Sequence, residues 1–143
     1  MKTIFNSITN TRELAVELQR LSKVVTGRRD SYLFKHKTAS LDTLVRHARK
    51  DGLEVSLFCQ RTNTAITMTD RESMQEGLEY MIMEFKGSFI THHEYMLWVK
   101  GNGLRSQTVT MWRNGDASPK LDTFIKIAVE ELGYELKLLV AEK

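Results

Sequence analysis

The sequence predicts a mainly α-helical fold with a small β-sheet, built as two related units joined through short strands. Three observations carry this. Several stretches place apolar residues at helical spacing behind capping residues, two alternating runs each follow a glycine, and an internal repeat relates the two halves of the chain. With 143 residues, 41% of them apolar, the chain is long enough to bury a core without disulfide or metal staples.

The elements follow in chain order. Leu14, Leu18 and Leu21 recur at i, i+4 and i+7 behind Asn10, with Glu13 as the capping-box partner. Leu41, Leu44, Val45 and Ala48 predict a second helix behind Ser40. Leu53, Val55 and Leu57 alternate with Glu54 and Ser56 in a strand reaching Cys59, and 65–68 is expected to return as a hairpin across 61–64. Met74, Leu78, Met81, Ile82 and Phe85 form a long apolar stripe behind the box Thr69-x-x-Glu72. Thr91-x-x-Glu94 opens a short helix over 95–100 that Gly101-Asn102-Gly103 breaks. Ser106 opens another, which Asn114-Gly115 should close. Leu121, Phe124, Ile125, Ala128 and Leu132 resume helical spacing behind Ser118 and Pro119, the single proline, at a place where a first helical turn tolerates it. Tyr134, Leu136 and Leu138 then alternate with Glu135 and Lys137 as a closing strand.

The repeat emerges when the halves are set side by side. Ser40-Leu41-Asp42-Thr43-Leu44-Val45-Arg46-His47-Ala48 matches Lys120-Leu121-Asp122-Thr123-Phe124-Ile125-Lys126-Ile127-Ala128. Each then reaches a glycine, Gly52 or Gly133, and an alternating strand. The halves divide as 1–60 and 61–143. A lone terminal strand leaves backbone donors and acceptors unpaired, so strands 53–58 and 134–140 are expected to share one sheet, as two subunits of a symmetric dimer would. The whole chain is then an intramolecular pseudo-dimer; a homodimer of such chains is the other arrangement.

Charge is distributed unevenly. Residues 1–60 hold 11 basic and 6 acidic side chains, residues 61–143 hold 10 and 12. The basic excess concentrates in 20–50, which suits a polyanion such as nucleic acid, although a solvated helix face has the same composition. In the second half, helix 95–100, a glycine turn and helix 106–114 have helix-turn-helix proportions. Val109 and Trp112 are expected inward, leaving Ser106, Gln107, Thr110 and Met111 to meet base edges. Arg105, Arg113 and Lys120 flank the helix ends, where phosphates would lie.

The run Gly103-Leu104-Arg105-Ser106-Gln107-Thr108-Val109-Thr110-Met111-Trp112-Arg113-Asn114-Gly115, with Ser118-Pro119 and Leu121-Asp122-Thr123 after it, resembles the lambda-repressor-like (Xre-type) helix-turn-helix family. The continuation Leu132-Gly133-Tyr134-Glu135-Leu136-Lys137-Leu138 is similar to its addiction-module antidote branch. The resemblance implies a sequence-specific DNA-binding transcriptional regulator, a repressor by the simplest route, whose second motif helix reads bases in double-stranded DNA. It departs from the family pattern at Val99, where a small alanine is usual, and in having both Gly101 and Gly103 in the turn. In the first half, Thr11-Arg12-Glu13-Leu14-Ala15 resembles the start of the first motif helix. A degenerate second helix over 28–37 would then offer Arg28, Arg29, Tyr32, Lys35 and Lys37, with Arg28, Arg29, Lys35 and Lys37 as phosphate contacts; loss of base reading with retention of charge or packing is the alternative there.

The competing functional class is a protein-binding antitoxin or inhibitor module on a helix-turn-helix-derived scaffold, with a toxin or host factor as partner; the acidic second half favours it. No catalytic residue, metal site or cofactor is expected. Cys59 is the only cysteine, which excludes an internal disulfide and multi-cysteine metal sites and points to a reducing cytoplasm. His92 and His93 are adjacent, so on a helix they diverge by about 100° and do not readily share one ion. Met74, Met81 and Met83 are read as helix-face packing. Apolar runs of only a few residues predict neither a transmembrane span nor a signal segment.

Overall fold

The computed structural model describes residues 8–26 and 39–140. Their order is α1 (Thr11–Thr26), α2 (Leu41–Lys50), β1 (Leu53–Cys59), β2 (Thr64–Met68), α3 (Arg71–Gly87), α4 (His92–Gly101), α5 (Ser106–Asn114), α6 (Leu121–Ile125), a π-turn (Lys126–Glu131) and β3 (Glu135–Val140). The fold is mainly helical with one antiparallel sheet of order β2-β1-β3. The expected strands and hairpin are present, and the strands of the two halves do share a sheet.

The sheet is organised around its middle strand. Leu53, Val55, Leu57 and Cys59 are buried on one face of β1, as the alternation required. Its partner β3 runs antiparallel, with Leu53 opposite Val140, Leu57 opposite Leu136 and Ser56 opposite Lys137. Ser56 and Lys137 hold the same place in the two copies of the repeat, so matched residues face each other at the centre of the ladder. A second self-match lies at the helix starts. Ser40 bridges Lys120, the Leu41 amide donates to the Pro119 carbonyl at 2.9 Å, and the Leu121 amide donates to the Ala39 carbonyl at 2.9 Å. Gly52 and Gly133, which end the matched helices, both adopt φ +76°.

That reciprocal pairing changes the expected start of α6. Ser118 and Pro119 lie outside the helix; Lys120 is the N-cap and caps without its side chain. The Ser118 hydroxyl instead accepts from the Asp42 amide at 2.9 Å, so it serves the opposite helix. Two helix starts lying antiparallel satisfy each other's orphan amides, and a local cap is not needed. The predicted helix through Leu132 also changes form, passing from α6 into the π-turn.

Two further caps differ in detail. At α3 the box is one residue later than Thr69-x-x-Glu72: Asp70 accepts from the Ser73 amide at 2.8 Å, and the Ser73 hydroxyl accepts from the Asp70 amide at 3.0 Å. Carboxylate oxygens outcompete a threonine hydroxyl for the N-cap. The Ser73 amide first, and then the Ser73 side chain, also hold the Asp70 carboxyl below its ordinary range. Behind Asn10 half of the expected box forms: the Glu13 amide donates to Asn10 Oδ1 at 2.8 Å, but the Glu13 carboxylate accepts from the Thr9 amide at 2.9 Å, one residue before the N-cap.

The surroundings of α1 are those of α3 rather than of α4. Ile8 bridges β3 just before α1, as Met68 ends β2 against β1 just before α3. Helix α1 packs on β3 and α6, and α3 packs on β2 and α2. The segment Thr11-Arg12-Glu13-Leu14-Ala15 therefore opens a helix placed as α3 is, and the second helix expected after it, over 28–37, lies outside the described residues. A strand residue leading into a side-chain-capped helix start is the shared local feature. One cluster of buried side chains runs through both halves, from Leu14 and Leu18 through Leu44, Val55 and Leu57 to Met81, Phe124 and Leu136. Met74 and Met81 belong to it, whereas Met83 is half exposed and packs no core.

Candidate nucleic-acid interface

Helices α4 and α5 are separated by a turn whose geometry follows from its glycines. Gly103 takes φ +73°, its amide donates to the Lys100 carbonyl at 3.0 Å, and the Leu104 amide donates to the Val99 carbonyl at 3.0 Å. This is a Schellman ending, in which a left-handed residue lets the chain satisfy the last carbonyls and turn sharply. Val99 is buried and anchors α4. Thr91 caps α4 by accepting from the Glu94 amide at 3.2 Å.

Helix α5 ends the same way at Gly115, φ +84°, where the Asp116 amide donates to the Met111 carbonyl at 2.9 Å. Its inward face is Val109 and Trp112, exposed by only 6% and 4%. Ser106, Gln107, Thr110 and Met111 are all exposed, so the four candidate base contacts share the outer side. The Thr110 hydroxyl donates to the Ser106 carbonyl at 3.0 Å, which spends its proton and leaves an acceptor and a methyl group. At the start of α5, Arg105 is the N-cap and closes the first turn with no side-chain bond.

Among the flanking cations, Arg105 and Lys120 are exposed and Arg113 is half-buried. Arg28, Arg29, Tyr32, Lys35 and Lys37 lie outside the described residues. Arg46, Arg49 and Arg71 line a separate cleft with Asp42 and Asp70. There Arg46 Nε pairs with Asp42 at 3.3 Å, and Arg71 donates to the Gly115 carbonyl at 3.4 Å.

What holds α5 in place was not read from the sequence. The Gln75 side-chain amide of α3 donates to the Arg113 carbonyl, and the same carboxamide lies against Gly115. Behind α4, the rings of Phe85, Phe89, Tyr95 and Trp98 meet edge to face, Phe85 and Trp98 at 4.8 Å. The Trp98 indole donates to Glu131 at 2.9 Å. Lys126 donates to the Asn102 side chain in the turn. The sequence signals for these supports are Asn102 between two glycines and the one-residue difference between the matched helices.

Among the described residues no group of three metal-ligating side chains occurs, and no helix is long and apolar enough to cross a membrane. Cys59 is buried, its thiol held below the ordinary value chiefly by the Thr62 side chain. No family model, curated protein or solved structure matches the chain.

Proposed function

We propose that this chain is a sequence-specific DNA-binding transcriptional regulator that represses by occupying a promoter and reads base edges with α5. One observation carries the reading: α5 is anchored through Val109 and Trp112 while Ser106, Gln107, Thr110 and Met111 stand together on its exposed side. Gln107 can make two hydrogen bonds to adenine, Ser106 can donate or accept, and Met111 with the Thr110 methyl can touch a thymine methyl. The uncapped first turn of α5 offers amides to a phosphate, with Arg105, Arg113 and Lys120 as the neighbouring cations.

The two halves act as an intramolecular pseudo-dimer. Supporting this are the self-matched pairs Ser56–Lys137 and Ser40–Lys120 and the reciprocal Leu41 and Leu121 bonds, which is the pattern a two-fold axis imposes on equivalent residues. The target is then a pair of unequal half-sites about one DNA turn apart. The basic excess of residues 1–60 supplies phosphate attraction, and the second half supplies base discrimination. A single buried cysteine suits work in the cytoplasm.

A mobility shift on genomic fragments at two salt concentrations tests the proposal. Binding that weakens steeply with salt and enriches one sequence is expected. No retention at low salt would overturn it and favour the antitoxin-like reading, in which the acidic second half grips a protein.

A further inference from the structure

The two matched helices differ by one residue. Three residues separate Ala48 from Gly52, and four separate Ala128 from Gly133. In α2 the His47 carbonyl accepts from the Asp51 amide at 3.2 Å. The matched carbonyl of Ile127 accepts from the Leu132 amide at 3.0 Å, one residue further along. The added residue is therefore absorbed as the π-turn Lys126–Glu131, and the matched positions on both sides keep their places: Ala48 and Ala128 are both buried, as are Leu53 and Tyr134.

The extra residue has a local consequence. Glu131, at the end of the π-turn, meets the Trp98 indole N–H at 2.9 Å. Lys126, at its start, bonds Asn102 and lies 6.0 Å over the Trp98 ring. The Asn102 side-chain amide donates in turn to the Trp98 carbonyl at 2.8 Å. These contacts bind the π-turn to α4 and to the turn that leads into α5. The first copy is built differently: Arg46, in the place of Lys126, pairs with Asp42 at 3.3 Å, and Asp51, the acid nearest the helix end, lies 3.7 Å from His47.

We propose that the one-residue π insertion positions the second reading unit, setting the inclination of α4 and thereby the spacing at which α5 meets its half-site relative to the first copy. Glu131 and Lys126 are the positioning residues. The proposal rests on the DNA-binding reading.

The test combines the indole N–H resonance of Trp98 in the full chain with selection from a random-sequence duplex pool. Three variants are compared with wild type: deletion of Glu130, Glu131→Ala and Glu131→Gln. Deleting exposed Glu130 should turn the segment into an α-helix, move the indole resonance and change the spacing of the selected half-sites without changing the α5 half-site itself. Glu131→Ala should move the resonance and reduce discrimination between spacings by about five- to tenfold, the worth of one hydrogen bond. Glu131→Gln keeps an acceptor and should restore both. If deletion of Glu130 unfolds the chain, the Glu131 pair decides alone. An unmoved resonance in Glu131→Ala overturns the inference, as does a moved resonance with unchanged spacing. Failure of the wild type to select any duplex overturns the DNA-binding reading instead.

Discussion

Three glycines around the α4–α5 unit provide a graded test, because alanine at each meets a different physical situation. At Gly115 the backbone has φ +84°, and an added Cβ would lie 2.9 Å from Gln75 Oε1. The left-handed conformation costs an L-residue about 1–2 kcal/mol. Moving the Gln75 carboxamide forfeits its bond to the Arg113 carbonyl, about 1 kcal/mol more. Gly115→Ala should therefore destabilise by about 2–3 kcal/mol. At Gly103, φ is +73° and nothing lies within 4 Å of the added carbon, so only the conformational cost of about 1–2 kcal/mol applies. Gly101 is helical with open space around it, and alanine there should stabilise by about 0.4–1 kcal/mol. For a chain of this size each kcal/mol moves Tm by about 3–4 °C. Thermal melts followed by circular dichroism should rank Gly101→Ala above wild type, then Gly103→Ala, then Gly115→Ala. A neutral Gly115→Ala, or a destabilising Gly101→Ala, would refute the turn geometry and the packing of Gln75.

Gln107→Ala should relax preference at one base pair by about 1–3 kcal/mol while leaving non-specific affinity nearly intact, measured by competition between matched and mismatched duplexes; unfolding of the variant would mean that the residue is buried. The double variant Arg28→Ala, Arg29→Ala should weaken binding to all duplexes and flatten the salt slope by about two, and an unchanged slope would remove those residues from the interface. Asp70 has a carboxyl pKa lowered by the Ser73 amide and then the Ser73 hydroxyl, so its contribution to stability is present above about pH 4, the unfolded value, and fades as pH falls through the folded value. Asp70→Asn should accordingly flatten the acid limb of the stability profile in urea melts, and an unaltered limb would contradict the cap.

The parts of this fold legible in the sequence are those governed by local periodicity. Leu14 and Leu18, Leu44 and Val45, and Val109 and Trp112 declare their buried faces by spacing alone, and each is buried. The strands were legible because their alternation follows a glycine on both occasions. Errors arose where a distant partner competes for a local group. Ser118 reads as a helix cap until the Asp42 amide claims its hydroxyl from 76 residues away. Gln75 has no periodic signature, because its role depends on where the Arg113 carbonyl falls in space. The π-turn was implicit in the one-residue difference between the repeats, but only hydrogen bonding distinguishes a lengthened turn from a lengthened loop. For the candidate interface, the outer face of α5 follows from two inward residues, whereas the supports behind it come from α3 and the π-turn.

The most direct test of the central claim is sequencing of genomic fragments that co-purify with the tagged chain. The account predicts enrichment of one promoter-proximal element with two unequal half-sites centred about one helical turn apart. Recovery of fragments no different from input would contradict it.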